Sequence, residues 1–515
     1  MEKNSEGIDS IPEQEQNSQP TAPVKAESVG ESGDSRVDSR SSDRVDRLGN
    51  EKVGKLLLEF AIPAIIGMMA NGLYNIIDGI FMGQGIGEVG LATATVSMPI
   101  MFFSMAIATL FGAGGNALLA LRLGEGKRDE ADRILGVCFT MYVIVGIICT
   151  AFILIFMGTL LRISGVDDAI YESCETFLRI IAYGMILQFF GMGFNNFIRT
   201  AGDPNRALYT MVSGIVVSTF FNWLFVLQFH WGVAGSAWAT VLGQGTSFVM
   251  VMFYFTLSKK SPFKLRLKAI GIDVKIFTRI ITLGSASFIM SIAGSIIALY
   301  TNNLIAHYGS LSPIGLSGAF AAVGVIGRAS QVTFFPVMGV AVAASPIFGF
   351  NYGAKNFERV KTTFWTAFRW ITIIGTAIWV LVRMFPEQIV MIFGIEGELL
   401  AFTAHALKVQ MFMVPVMGLQ SVSANFFQSS GQPFKSLVLS MSRQILFMVP
   451  LLYILPIVLP QISSQFIGLD GLYWAYPCAD GLSVIIAALF MRREFGLINK
   501  QIIERDEERL AMVAG

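Results

Sequence analysis

NFIRTAGDP at positions 196–204 recurs 229 residues later as NFFQSSGQP at positions 425–433, with Asn, Phe, Gly and Pro in the same places. Gly124 and Gly353 stand at the same spacing, within RLGEGK and NYGAK. A third pair, GVAGSAWA at 232–239 and GLDGLYWA at 468–475, follows in the same order after a seven-residue insertion. Self-similarity in this constant order indicates a chain built from two related halves.

The repeated segments lie among long apolar runs separated by short polar loops. A helix needs about 20 mostly apolar residues to cross a bilayer, and twelve runs reach that length. The predicted spans are 56–80, 91–119, 133–160, 176–198, 207–229, 235–257, 276–305, 316–350, 362–385, 400–425, 436–460 and 471–491.

The composition agrees with a membrane protein. Of the 515 residues, 54% are hydrophobic and 14% are charged, with a mean hydropathy of +0.62. Soluble domains carry roughly a quarter charged residues, so a soluble fold is excluded. The net charge is +1 and no basic patch lies in a folded soluble region, which argues against a nucleic-acid partner. The four cysteines lack CxxC spacing and the three histidines are scattered, so no metal site is predicted.

Loop charges predict the orientation, because Lys and Arg remain on the cytoplasmic side. With the N-terminus inside, alternate loops hold most of the basic residues, Arg199 and Arg443 among them, whereas the opposite loops hold only Arg162 and Arg383 together with acidic residues. We therefore expect an even number of spans in the inner membrane, with both termini cytoplasmic.

The domain boundaries follow from these spans. Residues 1–50 contain 11 acidic and 6 basic residues and no aromatic residue, so a disordered acidic cytoplasmic tail is predicted. An N-lobe at 51–257 and a C-lobe at 276–495 are joined by a basic cytoplasmic linker at 258–275. A cytoplasmic C-terminal tail at 496–515 follows.

The repeat also fixes how the two lobes are related. Corresponding segments are six spans apart, and an even offset gives both halves the same orientation. The predicted fold class is therefore all-α and polytopic, with two six-helix lobes related by a pseudo-two-fold axis along the membrane normal.

Asp78, toward the outer end of the first span, is the main candidate for ion coupling. An ionisable side chain inside a membrane costs roughly 2.5–3.5 kcal/mol on insertion scales and is a functional candidate by default. A carboxylate there suits proton loading or contact with a cation, and the alternative is a solvated residue at the mouth of a cavity. The aligned position in the second half is Leu304 or Asn303, so Asp78 has no symmetric carboxylate.

Further polar residues within the spans are candidates for substrate binding. Asp480 lies inside the last span with Gln244 as its counterpart, and either a substrate or gating role or an interhelical hydrogen bond would explain it. Arg328 is the candidate cavity cation. The neutral candidates for substrate binding are Gln188, Asn195, Asn196, Gln244 and Gln331, and the neutral candidates for ion coupling are Asn71, Ser218, Asn222 and Thr240. Each of them also suits helix packing.

Over residues 52–495 the sequence resembles the MATE family of multidrug and toxic compound extruders, near its MepA-like bacterial branch. The resemblance rests on Ile62-Pro63, YNIID at 74–78, NFIRTAG at 196–202, GVAGSAWAT at 232–240, FPVMG at 335–339 and SPIFGFNYGA at 345–354. It implies twelve helices around a central cleft that opens alternately to each side. It also implies export of hydrophobic, often cationic, compounds in exchange for protons or sodium ions, with Asp78 as the first-span carboxylate.

The sequence departs from that family in the fifth span. Related members hold an Asn and an Asp where this chain has Ser218 and Asn222, so the second carboxylate is missing. Asp78, Asn71, Ser218, Asn222 and Thr240 can still offer oxygens, but with one negative charge at most. Hard cations favour several oxygens including carboxylates, so proton coupling is favoured over sodium.

The resulting expectation is a multidrug efflux antiporter for amphipathic, cationic organic compounds, working as a monomer without a cofactor. A flippase of lipid-linked intermediates is the alternative, although its cavity would need several cations. An intramembrane enzyme is disfavoured, because the chain has neither an HExxH motif nor a Gly-x-Ser-x-Gly elbow.

Overall fold

The structure, a computed structural model, describes residues 46–514 except 87, 164–167, 259–260, 267–268, 393–396 and 464–465. Every regular element in these ranges is helical. A short helix, α1, covers residues 46–50. It is followed by α2 (Val53–Gly85), α3 (Glu88–Gly124), α4 (Arg128–Ile163), α5 (Asp168–Thr200), α6 (Pro204–Asn222), α7 (Gly232–Thr256), α8 (Val274–Ser310), α9 (Gly315–Gly353), α10 (Phe357–Met384), α11 (Pro386–Met391), α12 (Gly397–Gln410), α13 (Val414–Ser429), α14 (Pro433–Met441), α15 (Val449–Ile462) and α16 (Gly468–Ala514).

Twelve membrane spans account for the long helices in the described part of the chain. Eleven segments are long and apolar enough to cross a bilayer alone, and α12 and α13 supply the twelfth as a pair bent by 46°. The predicted count is therefore confirmed, and the tenth span predicted at 400–425 corresponds to this bent pair. The helix is interrupted at 411–413, just before Pro415, because proline removes a backbone donor and clashes with the preceding turn.

Each lobe has its own buried apolar core. In the N-lobe, the rings of Tyr142, Phe190 and Phe194 pack together between α4 and α5, and Tyr142 Oη donates to the Ala108 carbonyl of α3 at 2.8 Å. In the C-lobe, Leu407 of α12 and Leu452 of α15 are fully buried in a separate cluster. These cores hold each set of six spans together as a body.

The predicted pseudo-symmetry is visible where the lobes meet. A Cβ atom added to Gly124 would lie 1.9 Å from the Phe350 carbonyl oxygen, and one added to Gly353 would lie 2.1 Å from the Leu121 carbonyl oxygen. Leu121 and Phe350 are separated by the same 229 residues as the two glycines. The contact is therefore reciprocal between corresponding residues of α3 and α9, as an interface around a two-fold axis requires.

The lobes close on the face that carries the described chain ends, called here the inner face. The Gly114 position on α3 abuts the Ile280 carbonyl of α8, and Gly339 of α9 abuts Ile65 of α2. Because α2 and α8 start at the inner face while α3 and α9 end there, all of these residues lie in the inner half of the spans.

The outer ends of the helices contact their own lobes instead. Gly85 at the end of α2 lies against Val226, and Gly468 at the start of α16 lies against Tyr308. Close contacts between the lobes are thus found in the inner half of the spans and reach to about their middle, where Gly72 of α2 abuts the Phe335 ring of α9, whereas these outer helix ends contact residues of their own lobe.

Several sequence-based boundaries need correction. The predicted disordered tail was extended too far, because residues 46–50 are helical and Leu48 is fully buried; residues 1–45 lie outside the described part. The predicted C-terminal tail at 496–515 is helical through Ala514 as the end of α16. Arg199 and Arg443, taken as loop charges for orientation, are instead largely buried within helical segments.

Candidate functional site

Asp78 lies near the outer end of α2, between α6 and α7 of the N-lobe. One carboxylate oxygen, Oδ1, accepts hydrogen bonds from Asn222 Nδ2 at 3.0 Å and from Ser236 Oγ at 3.3 Å. Both donors are neutral and almost fully buried. The structure thus joins two of the predicted ion-coupling residues and adds Ser236, which the sequence interpretation missed.

A change of helix type positions Asn222. It is the last residue of the α-helical part of α6, and residues Trp223–Gln228 continue as a π-helix. Such wider turns are rare and are often found at functional sites, because they re-aim the side chains around them.

A tight connection then places Ser236. His230 and Gly232 have positive φ angles of 51° and 60°, so the chain reverses direction directly after the π-helix. The Phe225 and Trp231 rings stack at 4.6 Å across this reversal. As a result, the first turns of α7 lie beside the end of α6, and Ser236 reaches the same carboxylate oxygen as Asn222.

The second polar atom of Asn222 has no hydrogen-bond partner among the described residues. Its Oδ1 atom is buried and accepts no hydrogen bond from any described residue. Leaving a buried acceptor unsatisfied costs about 1–3 kcal/mol. An O–H group of a protonated Asp78 or a bound cation would satisfy it, so the arrangement suits a site that changes its occupant.

The other predicted ion-coupling residues lie nearby along the same helices. Ser218 is buried one turn before Asn222 and packs against Gly243 of α7. Thr240 is half-buried one turn after Ser236. Asn71 lies on α2, but its side chain is outside the described part. Among the described residues, no group of three His, Cys, Asp or Glu side chains could hold a metal ion, and Asp78 supplies a single carboxylate.

The predicted substrate-binding residues of the N-lobe do not form one cluster. Asn195 is buried and its amide donates to the Ala207 carbonyl and to Thr210 Oγ1, both at 2.7 Å, which explains it as a link between α5 and α6. Gln188 is half-buried on α5. Gln244 is half-buried on α7, and its Oε1 atom is buried without a partner among the described residues.

Arg199 is a feature that the sequence interpretation missed. Its side chain is 5% exposed, and its guanidinium donates to Asn196 Oδ1 at 2.9 Å and to Met211 Sδ at 3.7 Å, with no carboxylate partner among the described residues. It lies at the C-terminal end of α5, where the helix dipole stabilises a cation. Asn196, a predicted substrate residue, is thereby occupied as its acceptor.

In the C-lobe, two predicted substrate residues are accessible and one is not. Arg328 and Gln331 are exposed on the outer half of α9. Asp480 is 3% exposed on α16, and Arg443 donates to its Oδ1 through Nε at 2.5 Å. Arg443 is the second residue of another π-helix, Ser442–Met448, which lies between α14 and α15. The C-lobe carboxylate thus has its own counter-charge, which favours the interhelical interpretation of Asp480.

This ion pair gives a test between the two interpretations. Asp480→Asn is expected to destabilise the protein by about 3 kcal/mol, because Arg443 would remain largely buried without a counter-charge. Thermal unfolding of the purified variant would measure the loss. The double variant Asp480→Asn with Arg443→Met should recover most of it. Unchanged thermal stability together with lost transport would contradict the interhelical role and support a substrate role.

The fold and the Asp78 site define a class: a two-lobed polytopic membrane transporter. A family model, MatE, matches residues 63–224 and 286–454. The chain belongs to the MatE family, that of the MATE transporters, and the resemblance noted in the sequence is confirmed.

Named relatives and solved structures agree with this family. The chain is 22% identical over 436 residues to "Probable multidrug resistance protein YoeA" of Bacillus subtilis, covering 83% of this chain and 91% of the relative. It is 20% identical to "Multidrug export protein MepA" of Staphylococcus haemolyticus, covering 88% and 95%. An outward-facing multidrug resistance MATE family transporter of the MOP superfamily shares the fold, with a TM-score of 0.81 at 22% identity over 88% of this chain and 98% of that one.

Proposed function

We propose that this MATE transporter is a secondary-active efflux antiporter that exports amphipathic, cationic organic compounds in exchange for protons, with sodium ions as the alternative coupling ion. Its relatives bear the names of multidrug export proteins. It would act as a monomer in the cell membrane with both termini cytoplasmic. The observation that carries the proposal is the membrane-embedded Asp78 carboxylate, held by two neutral donors and paired with no cation among the described residues.

The hydrogen bonds around Asp78 support a carboxyl group that alternates between two states. When ionised, Asp78 accepts from Asn222 and Ser236 through one oxygen. When protonated, it can donate to the unpartnered Asn222 Oδ1 and so satisfy that buried acceptor. Both states have hydrogen-bond partners, and a group that exchanges protons during a transport cycle needs this property.

Charge also supports a cationic substrate. Asp78 is a negative group in the N-lobe, whereas the C-lobe carboxylate Asp480 is already neutralised by Arg443. An organic cation and a coupling ion would compete for the same carboxylate, and such competition makes antiport obligatory: loading one releases the other. In an outward-open state of such an antiporter, a substrate would leave and an external proton would enter.

A transport assay with a dye panel tests this function. Cells that express the protein should accumulate less of several amphipathic cationic dyes than cells that carry an empty vector. Collapse of the proton gradient should abolish the difference, whereas removal of external sodium should leave it. Equal accumulation in both strains for every cationic dye would contradict drug export. If export is lost when sodium is removed and not when the proton gradient is collapsed, sodium is the coupling ion.

Asn222→Asp tests how the missing second carboxylate sets ion choice. The new carboxylate would lie within hydrogen-bonding distance of Asp78, and two carboxylates with nearby hydroxyl groups favour a hard cation. We expect sodium to stimulate transport in this variant and not in the wild-type protein, measured in proteoliposomes at constant pH and varied sodium.

The control for this experiment is Asn222→Ala, which removes the amide without adding charge. It should reduce transport at every sodium concentration. If Asn222→Asp responds to sodium no more than Asn222→Ala does, the second carboxylate does not decide the coupling ion.

A further inference from the structure

The short segment before the first span is bound to the opposite lobe. It comprises α1 and the following residues 51–52, and is called here the clasp. Leu48 is fully buried, and its carbonyl accepts hydrogen bonds from Asn351 Nδ2 at 2.9 Å and from Arg359 Nε at 3.1 Å. Arg359 also donates to the Glu51 carbonyl. Asn351 ends α9 and Arg359 begins α10, so both partners belong to the C-lobe.

The clasp is covalently continuous with α2, which carries Asp78 at its other end. Arg47 donates to the Glu51 carboxylate at 2.7 Å and to Glu59 of α2 at 2.6 Å, which fixes the clasp against the base of that helix. The Arg47 hydrogen bond lowers the pKa of Glu51, so this carboxylate stays ionised well below neutral pH. The clasp therefore ties α2 to the C-lobe at the inner face.

The clasp site fits its segment closely. A Cβ atom at Gly49 would lie 2.9 Å from the Phe350 ring, so this position has little room for a side chain. The Leu48 side chain shares its apolar cluster with Phe348, Val360 and Phe364 of the C-lobe. Burial, three backbone-directed hydrogen bonds and the absence of free space make this a specific contact.

We propose that the clasp is a latch on the inner gate: it stabilises the outward-open state and must leave its C-lobe site before the inner face can open. This inference rests on the alternating access of the proposed function. Separation of α2 from α9 at the inner face would pull the segment away from Asn351 and Arg359, because Arg47 of the clasp is bound to Glu59 of α2.

Spin-label distances test the latch without requiring transport. Asn205→Cys and Phe434→Cys place labels at exposed, symmetry-related positions at the inner ends of α6 and α14, in a protein whose four native cysteines are replaced by alanine. In this background, Leu48→Ala and, separately, Arg359→Gln should each weaken the clasp contact. Each should therefore raise by roughly tenfold the inward-open population, in which the distance between the two labels is long. Leu58→Ala, at an exposed position on α2, should leave it unchanged.

Cross-linking tests whether the clasp must leave its site. Gly49→Cys with Phe350→Cys, joined by a short reducible cross-linker, should stop dye transport, and reduction should restore it. The proposal would be overturned if the cross-linked protein transported dye as fast as the protein without the cross-link. It would also be overturned if neither Leu48→Ala nor Arg359→Gln changed the spin-label distances. If the wild-type protein transports no dye but the Leu48→Ala and Arg359→Gln variants still show the longer distances, the proposed antiport is rejected and the latch is retained.

Discussion

Asp78→Asn is expected to abolish ion-driven export while leaving the protein folded in the membrane. Asparagine has the same shape and its Oδ1 atom can still accept from Asn222 and Ser236, so the contacts among α2, α6 and α7 are retained. It cannot take up or release a proton, however, and it offers no charge to a cation. Cells that express the variant should accumulate dye as empty-vector cells do, at matched membrane levels of protein.

Two further variants serve as controls for the Asp78→Asn experiment. Asp78→Glu keeps a titratable group and should retain part of the transport, whereas Glu387→Gln, which neutralises an exposed acidic residue on α11, should leave transport unchanged. Normal proton-driven export by Asp78→Asn would remove Asp78 from the coupling reaction and with it the main support for the proposed antiport.

Gly353→Ala is expected to prevent closure of the inner face. The added Cβ atom would lie 2.1 Å from the Leu121 carbonyl oxygen, which is backbone and cannot rotate away, so α3 and α9 must separate. Overpacking of this kind costs typically about 1–3 kcal/mol. A cost of that size changes the ratio of outward-open to inward-open protein by roughly 5- to 150-fold. Spin-label distances across the inner face should lengthen, and transport should fall.

The matched control is Gly324→Ala on the same helix. No atom outside its own helical turn lies within 4 Å of the added Cβ, and the gain in helix propensity is the same. Gly124→Ala, at the symmetry-related position, should reproduce the effect of Gly353→Ala because it meets the Phe350 carbonyl in the same way. If Gly353→Ala behaves like Gly324→Ala, the close packing of α3 and α9 does not control the gate.

The two lobes share an architecture but differ in their charges. In the N-lobe, Asp78 has neutral hydrogen-bond partners, and the neighbouring acceptor Asn222 Oδ1 has no donor within the described part of the chain. In the C-lobe, Arg443 provides a fixed positive charge beside Asp480. A carboxylate with an intramolecular counter-ion has little reason to bind another cation, so this asymmetry supports the proposed coupling through Asp78 of the N-lobe.

The spans were predictable because hydropathy is a local property. Every predicted run corresponds to a helix or helix pair, and the repeat of NFIRTAGDP gave the relation of the lobes before any contact was known. The break at 411–413 was not predicted, although Pro415 lies within the run and proline interrupts helices, because the run was assigned from its hydropathy alone. The buried positions of Arg199 and Arg443 were also missed, because the charge-counting rule treats a basic residue near a helix end as part of the loop.

The site was only partly predictable. Asp78 was identifiable because an acidic residue in an apolar run is rare, and Asn222 because the family resemblance marked its position. Ser236 was not identified, although it lies one turn before the candidate Thr240, because serine within a membrane helix usually serves packing. Its role depends on the reversal at 229–232, which sets the first turn of α7 beside Asn222.

The sequence by itself determined the class of fold, the number of spans, the duplication and the single intramembrane carboxylate of the first span, since all four follow from residue type and spacing along the chain. Tertiary structure alone decided which polar groups meet: Ser236 with Asp78, Arg443 with Asp480, and the clasp with Asn351 and Arg359. These pairs are separated by between 37 and 311 residues. Such contacts depend on how rigid helices pack and turn about their axes, and no local pattern in the sequence encodes that.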